Sequence, residues 1–440
     1  MPGVPRRPLA LLAALAVLLG TALTTGTVSA GAVSAGALPA GAAAPAQAPT
    51  PSTPFTTPNT DACPYASTPP APVDASEVPA PGTAAPAPLP RPADPVGGSA
   101  LGGCGVVQAA GSPAVPEGIS AAAWVVADLD TGEVLAAKDP HGLHRPASTL
   151  KVLTSLLVLR TLPLDRVVTG TQADADVEGS GVGVGPGGQY TVRQLLTGLL
   201  LNSGNDAAHA LAVAMGGVDE TVTAMNTLAA SVGALDTRAA TPSGLDAPGT
   251  STSAYDLAVF FGLAMADPTF AQLTATPRAT FPGYADKPAF EIDNDDALLR
   301  NYPGALGGKP GFTDDARQTF VGAAERGGRR LVVALVDGER TPLQPWQQAA
   351  ALLDHGFALP PGASVGRLVT TAPAGAAPTP TGTATAPGVA AAGSGPVSAA
   401  APAPRSATGV LGTAALALGA ALVVVVLLVG VDAVRRRRRG

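Results

Sequence analysis

Apolar periodicity is confined to one stretch of this chain, from about residue 115 to residue 360, and Ala/Pro/Gly/Thr-rich tracts flank it on both sides. Such tracts bury too little apolar surface to offset the entropy lost on ordering. The 440 residues therefore reduce to one globular domain, where length alone suggests two or three. Formal net charge is −6 and only 13% of residues are charged, which leaves no basic face for nucleic acid. The one dense basic run, Arg435 to Arg439, stands beside an apolar segment and reads as a membrane signal.

The flanks have their own logic. Arg6 and Arg7, the apolar run Leu9 to Gly20 and the small-x-small site Val28-Ser29-Ala30 make residues 1–30 a secretory signal peptide, with an uncleaved anchor as the alternative. Residues 31–114 read as a semi-extended Ala/Pro-rich linker. They hold the only cysteines, Cys63 and Cys104, and an exported even pair is expected to close a disulfide loop. After the domain, 361–407 form a Pro/Ala/Thr-rich stalk, and 408–434 contain over 20 residues suited to a transmembrane helix. The basic tail 435–440 then stays cytoplasmic, which places the domain outside the cell membrane, tethered through its C-terminal helix.

Within 115–360, Ala122 to Leu129 and Glu133 to Ala137 flank a Gly-containing turn and predict a β-hairpin. Helical spacing covers Ser148 to Leu159, Thr191 to Leu201, Ala207 to Met215, Asp219 to Val232 and Ser253 to Met265. Strands return at Gln318 to Ala324 and Arg329 to Val336, before a last helix from Pro345 to Phe357. Strands at both ends around a helical middle predict an α+β domain whose antiparallel sheet is built from distant segments, with a helical subdomain inserted.

The chemistry concentrates where Pro146 leads into the helix that carries Leu150, Leu153, Leu156 and Leu157. Ser148 and Lys151 lie one turn apart on one face, so the amine can reach the hydroxyl. A serine attacks at neutral pH only if a base takes its proton, and an amine can do so only while neutral. Burial and a second cation both favour the neutral form. Lys138, Lys151, Lys287 and Lys309 are the only lysines in an arginine-rich chain, which singles them out because arginine cannot give up its proton. Alone, Ser-x-x-Lys describes a capped core helix equally well, Ser203-Gly204-Asn205 an interhelical turn, and Lys309-Pro310-Gly311 an ordinary loop.

Together, in this order and spacing, the three segments resemble the penicillin-recognising serine acyl-enzymes. The words Ser203-Gly-Asn-Asp-Ala207, Pro242-Ser-Gly-Leu-Asp246, Ser253-Ala-Tyr-Asp-Leu257, Tyr302-Pro-Gly304 and Lys309-Pro-Gly-Phe-Thr313 resemble the D-alanyl-D-alanine carboxypeptidase family over roughly residues 115–360. The resemblance implies a β-lactamase/DD-peptidase-like fold and no cofactor. It implies Ser148 as acyl-ester nucleophile, Lys151 as general base, Ser203 as proton relay and Asn205 as a partner of substrate and Lys151. It also implies Lys309 and Gly311 as substrate-binding residues beside the oxyanion hole formed by the backbone N–H groups of Ser148 and Phe312. Peptidoglycan stem peptides would be the substrate and β-lactams covalent inhibitors.

Pro310 departs from the family, which has Thr or Ser there. A hydroxyl and an N–H are lost together, and Thr313 or an arginine is expected to supply part of the contact to the substrate carboxylate. Three other readings remain open. A β-lactamase shares the acylation motifs, but no Glu-x-x-Leu-Asn element occurs between Asn205 and Lys309. A stalked, non-catalytic wall-binding module suits the flanks. A Ser-His-Asp hydrolase would need His144; with His141, His209 and His355 too scattered for a zinc motif, no metal is expected.

Overall fold

The computed structural model describes residues 55–360 and 362–371. The expected signal peptide, transmembrane helix, basic tail and most of the expected stalk lie outside the described residues.

In chain order the strands and helices are β1 (Val106–Gln108), β2 (Ala123–Asp128), β3 (Glu133–Lys138), α1 (Lys151–Thr161), β4 (Val167–Thr169), α2 (Gln172–Ala175), β5 (Gln189–Thr191), α3 (Val192–Leu201), α4 (Asn205–Ala214) and α5 (Val218–Ser231). There follow α6 (Ala254–Met265), α7 (Pro268–Thr274), β6 (Arg278–Phe281), β7 (Phe290–Asp293), α8 (Ala297–Asn301), β8 (Ala305–Thr313), β9 (Arg317–Arg326), β10 (Arg329–Gly338), α9 (Pro345–Ala358) and β11 (Gly366–Arg367). Seven strands form one antiparallel sheet in the order β1-β3-β2-β10-β9-β8, with β11 also on β3. Both ends of the domain thus meet in the sheet, and β8 forms one edge.

The sheet strands read as nearly unbroken apolar runs because both faces are covered. Side chains alternate across a strand. On β10, Val332, Ala334 and Val336 join the larger core under the helical layer, while Leu331, Val333 and Leu335 join a smaller core with Leu352 and Leu353 of α9. α6 crosses the larger core with Tyr255, Phe260 and Phe261 fully buried. It forms with α7 a pair of membrane-like hydropathy bent by 108°, and among the described residues no single helix is long and apolar enough to cross a membrane.

Two expected boundaries move. The linker reading of 31–114 does not hold from residue 55 onward. β1 pairs with β3, Leu101 is buried in the main core, and Cys63 and Cys104 are joined in a disulfide with Cα atoms 5.2 Å apart. Proline-rich chain lacks periodicity, but it can be held by side chains of the surface it crosses. The stalk likewise begins later than residue 361, because Val365 N–H donates to Val134 O at 2.8 Å and Leu368 N–H to Gly132 O at 2.7 Å. The two-stranded sheets β4–β5 and β6–β7 also escape the sequence pattern, being only three to four residues per strand.

Candidate active site

Ser148 sits in a short 3-10 turn, Ala147–Leu150, that runs straight into α1, whose first residue is Lys151. Ala147 is held at φ 47°, a left-handed conformation that costs a non-glycine residue on the order of 1 kcal/mol. Two glycines make room for that turn. A Cβ on Gly244 would stand 1.9 Å from Ala147 O, and one on Gly311 would stand 2.9 Å from Ser148 N. β8 therefore lies directly against the backbone of Ser148.

Lys151 Nζ is 2.9 Å from Ser148 Oγ, 2.7 Å from Asn205 Oδ1 and 2.8 Å from the carbonyl oxygen of Ser243. A neutral amine has two protons and one lone pair. Asn205 and Ser243 can only accept, so they take both protons and the lone pair is left facing the Ser148 hydroxyl. The lysine is fully buried. Burial first, and the Lys309 ammonium second, hold its pKa well below the ordinary lysine range, while Asp206 opposes them. Lys309 is also fully buried, and burial pushes it down to about 8 against the pull of Asp295 and Asp296.

Asn205 opens α4 and is locked at both ends of its amide. Its Oδ1 meets Lys151 and its Nδ2 donates to Glu178 O at 2.7 Å. Next to it, Asp206 accepts from the backbone N–H groups of Val182, Gly183 and Val184 at 2.7–2.9 Å, which ties the glycine-rich loop to α4. Gly179 (φ 89°) must stay bare there, since a Cβ would stand 2.6 Å from Asn205 Nδ2. Ser203, two residues before Asn205, is buried at φ 58° in the turn between α3 and α4.

The third segment lies on β8. Lys309 pairs with Val321, Gly311 with Thr319 and Phe312 with Gln318 of β9 on this edge strand, and Gly311 stands close against Ser148 N. Thr319 of β9 reinforces the contact by donating to Pro146 O at 2.9 Å. Pro310 fits because an edge strand tolerates a missing N–H. Phe312 presents a largely exposed ring. Thr313 closes β8, and its hydroxyl accepts from Ala316 N–H at 3.0 Å.

The Ser243 carbonyl went unassigned in the sequence, although its word Pro242-Ser-Gly-Leu-Asp246 stood out; a backbone acceptor leaves no trace in side-chain identity. His144 packs with Asp337 3.4 Å from its Nδ1 and makes no hydrogen bond to Ser148. His209 bonds Asp174 at 2.6 Å on α4. Among the described residues no cluster of three or more His, Cys, Asp or Glu could hold a metal ion.

A family model described as D-alanyl-D-alanine carboxypeptidase matches residues 108–340. The chain is 53% identical over 267 residues to the D-alanyl-D-alanine carboxypeptidase DacB2 of Mycobacterium tuberculosis, covering 60% of this chain and 90% of that protein. It is 33% identical over 240 residues to DacF of Bacillus subtilis, covering 53% of this chain and 61% of the relative. Among solved structures, the M. tuberculosis H37Rv D-alanyl-D-alanine carboxypeptidase aligns with a TM-score of 0.56 at 53% identity, over 60% of this chain and all of that one (100%). The Streptomyces K15 DD-transpeptidase aligns with a TM-score of 0.54 at 30% identity, over 56% of this chain and 100% of that one.

Proposed function

The chain belongs to the D-alanyl-D-alanine carboxypeptidase family of serine peptidases, and from that premise we propose that it removes the terminal D-alanine of peptidoglycan stem peptides through an acyl-enzyme on Ser148. The observation that carries the reading is the Lys151 amine, dry, beside a second cation and 2.9 Å from Ser148 Oγ.

As Ser148 Oγ attacks the carbonyl carbon between the two D-alanines, Lys151 Nζ takes its proton. Positive charge on Lys151 then accompanies negative charge on the carbonyl oxygen, which the N–H groups of Ser148 and Phe312 stabilise. The C–N bond breaks as the proton passes by way of Ser203 to the leaving amine, and free D-alanine departs. Water attacks the ester and loses a proton to Lys151, and Ser148 regains its hydroxyl as the trimmed peptide leaves. Lys309 supplies positive charge for the substrate's terminal carboxylate and keeps Lys151 neutral between turnovers. The absence of a Glu-x-x-Leu-Asn element between Asn205 and Lys309 favours slow deacylation of β-lactams, so penicillin acts as an inhibitor.

The site works outside the cytoplasm, behind the signal peptide 1–30 and ahead of the membrane helix 408–434 and basic tail 435–440. The disulfide between Cys63 and Cys104 supports an oxidising compartment.

Mass spectrometry of the protein with a D-Ala-D-Ala tripeptide should show loss of one alanine, and with penicillin a lasting adduct on Ser148, both abolished by Ser148→Ala. Release of no alanine by wild type rejects the carboxypeptidase. Rapid penicillin turnover would identify a β-lactamase.

A further inference from the structure

Residues 55–107 precede the family match, yet part of this segment grips both walls of the catalytic cleft. On one wall, Leu143 N–H donates to Tyr65 O at 2.9 Å, and the Tyr65 ring meets His144 edge-on at 4.8 Å. Arg145, three residues before Ser148, donates from Nη1 to Pro70 O and from Nη2 to Glu77 Oε2, both at 2.8 Å, while its Nε contacts Glu77 Oε1. Both charged side chains are largely removed from solvent, at 2% and 14% exposure. On the other wall stands Asp315, in the turn that ends β8, three residues beyond Phe312. Its carboxylate accepts from Val73 N–H and, at 3.1 Å, from Ser76 Oγ–H.

One stretch, Tyr65 to Glu77, therefore holds the approach to the nucleophile and the far end of the oxyanion strand at the same time. Each grip is directional. A bidentate Arg–carboxylate pair fixes a plane as well as a distance, and Asp315 uses both oxygens. The nucleophile turn needs such support because Ala147 is held at φ 47° with β8 packed against Ser148 N. Resting on the acyl-enzyme reading, we propose that Tyr65–Glu77 is a brace that sets the spacing between Ser148 and β8, with Glu77 and Asp315 as positioning residues for acylation. A misplacement of about 1 Å at a reacting centre can cost on the order of 100-fold in rate, so a partial loosening should read out well above error.

The segment also provides its own control. Arg238 donates to Ala87 O at 2.8 Å, an anchor that joins neither Ser148's turn nor β8. The test uses the full chain carrying Glu77→Gln, Asp315→Asn or Arg238→Gln. It reads the rate constant of fluorescent-penicillin labelling, kcat and KM for a D-Ala-D-Ala peptide, and the thermal midpoint. Glu77→Gln and Asp315→Asn should each slow labelling about tenfold and lower kcat with KM within about twofold, the pattern of an interaction realised in the transition state. Arg238→Gln should lower the midpoint alone. The labelling rate constant belongs to molecules that react, so partial unfolding reduces its amplitude without changing it. Wild-type labelling rates in both cleft variants, whatever their midpoints, overturn the brace alone. A wild type that takes no label overturns the function reading and the brace with it.

Discussion

Lys151 and Lys309 set a pH window between them. Acylation needs Lys151 neutral, so the rate rises with pH as this depressed amine loses its proton. Lys309 must stay charged, and its pKa of about 8 places the alkaline limb there. The profile of kcat/KM should be bell-shaped, with the descending half near pH 8 in stopped-flow penicillin acylation; a plateau continuing beyond pH 9.5 would contradict the role of Lys309. Gly311 offers a steric test of the same site. In Gly311→Ala the new Cβ meets Ser148 N at 2.9 Å and Thr319 Oγ1 at 2.4 Å, both on rigid neighbours. Pushing β8 outward weakens the oxyanion hole, and loss of one such donor costs about 100- to 1,000-fold. Labelling assays should find that loss in a folded protein. At this scale the reach of Lys151 to Ser148 was legible, because two side chains one turn apart share a face, and the structure has them 2.9 Å apart. The Ser243 carbonyl was not, because a partner of that kind depends on where the chain happens to pass.

Among the elements, the long hairpins and helices follow their sequence periods closely. β9 and β10 outrun the expected strands by a few residues, and the last helix runs Pro345–Ala358 where Pro345 to Phe357 was expected. Here capping and patterning agree: Ser253 caps α6 by accepting from Asp256 N–H, and Thr191 forms a capping box with Gln194 on α3. The segment around Cys63 and Cys104 obeys no period. Its order comes from a cross-link and from anchors such as Lys138 Nζ on Pro58 O. With the cysteines 41 positions apart in the sequence, the chain-entropy account gives about 4 kcal/mol for the closed loop. A Cys63→Ser/Cys104→Ser double variant should lose roughly 2–4 kcal/mol in urea unfolding. An unchanged midpoint would mean that the anchors alone hold the segment.

For the whole molecule, the consequence is a domain that starts well before residue 115. A chain truncated to begin at Val115 loses β1, the buried Leu101 and Val96, and the brace. Several kcal/mol would go with them, and at about 2–4 °C per kcal/mol the thermal midpoint should fall by roughly 10 °C in calorimetry; a fall of less than about 2 °C would restore the linker reading. The sequence alone determined the fold class, the family and the order of the three segments that carry its motifs. Hydrophobic period and reactive groups are local properties, readable one residue at a time. Only the tertiary structure decided that Lys151 and Lys309 share one dry pocket, that a backbone carbonyl completes the lysine's shell, and that proline-rich chain is part of the domain. Those outcomes depend on which distant surfaces meet, and burial, charge coupling and backbone acceptors exist only once they have met.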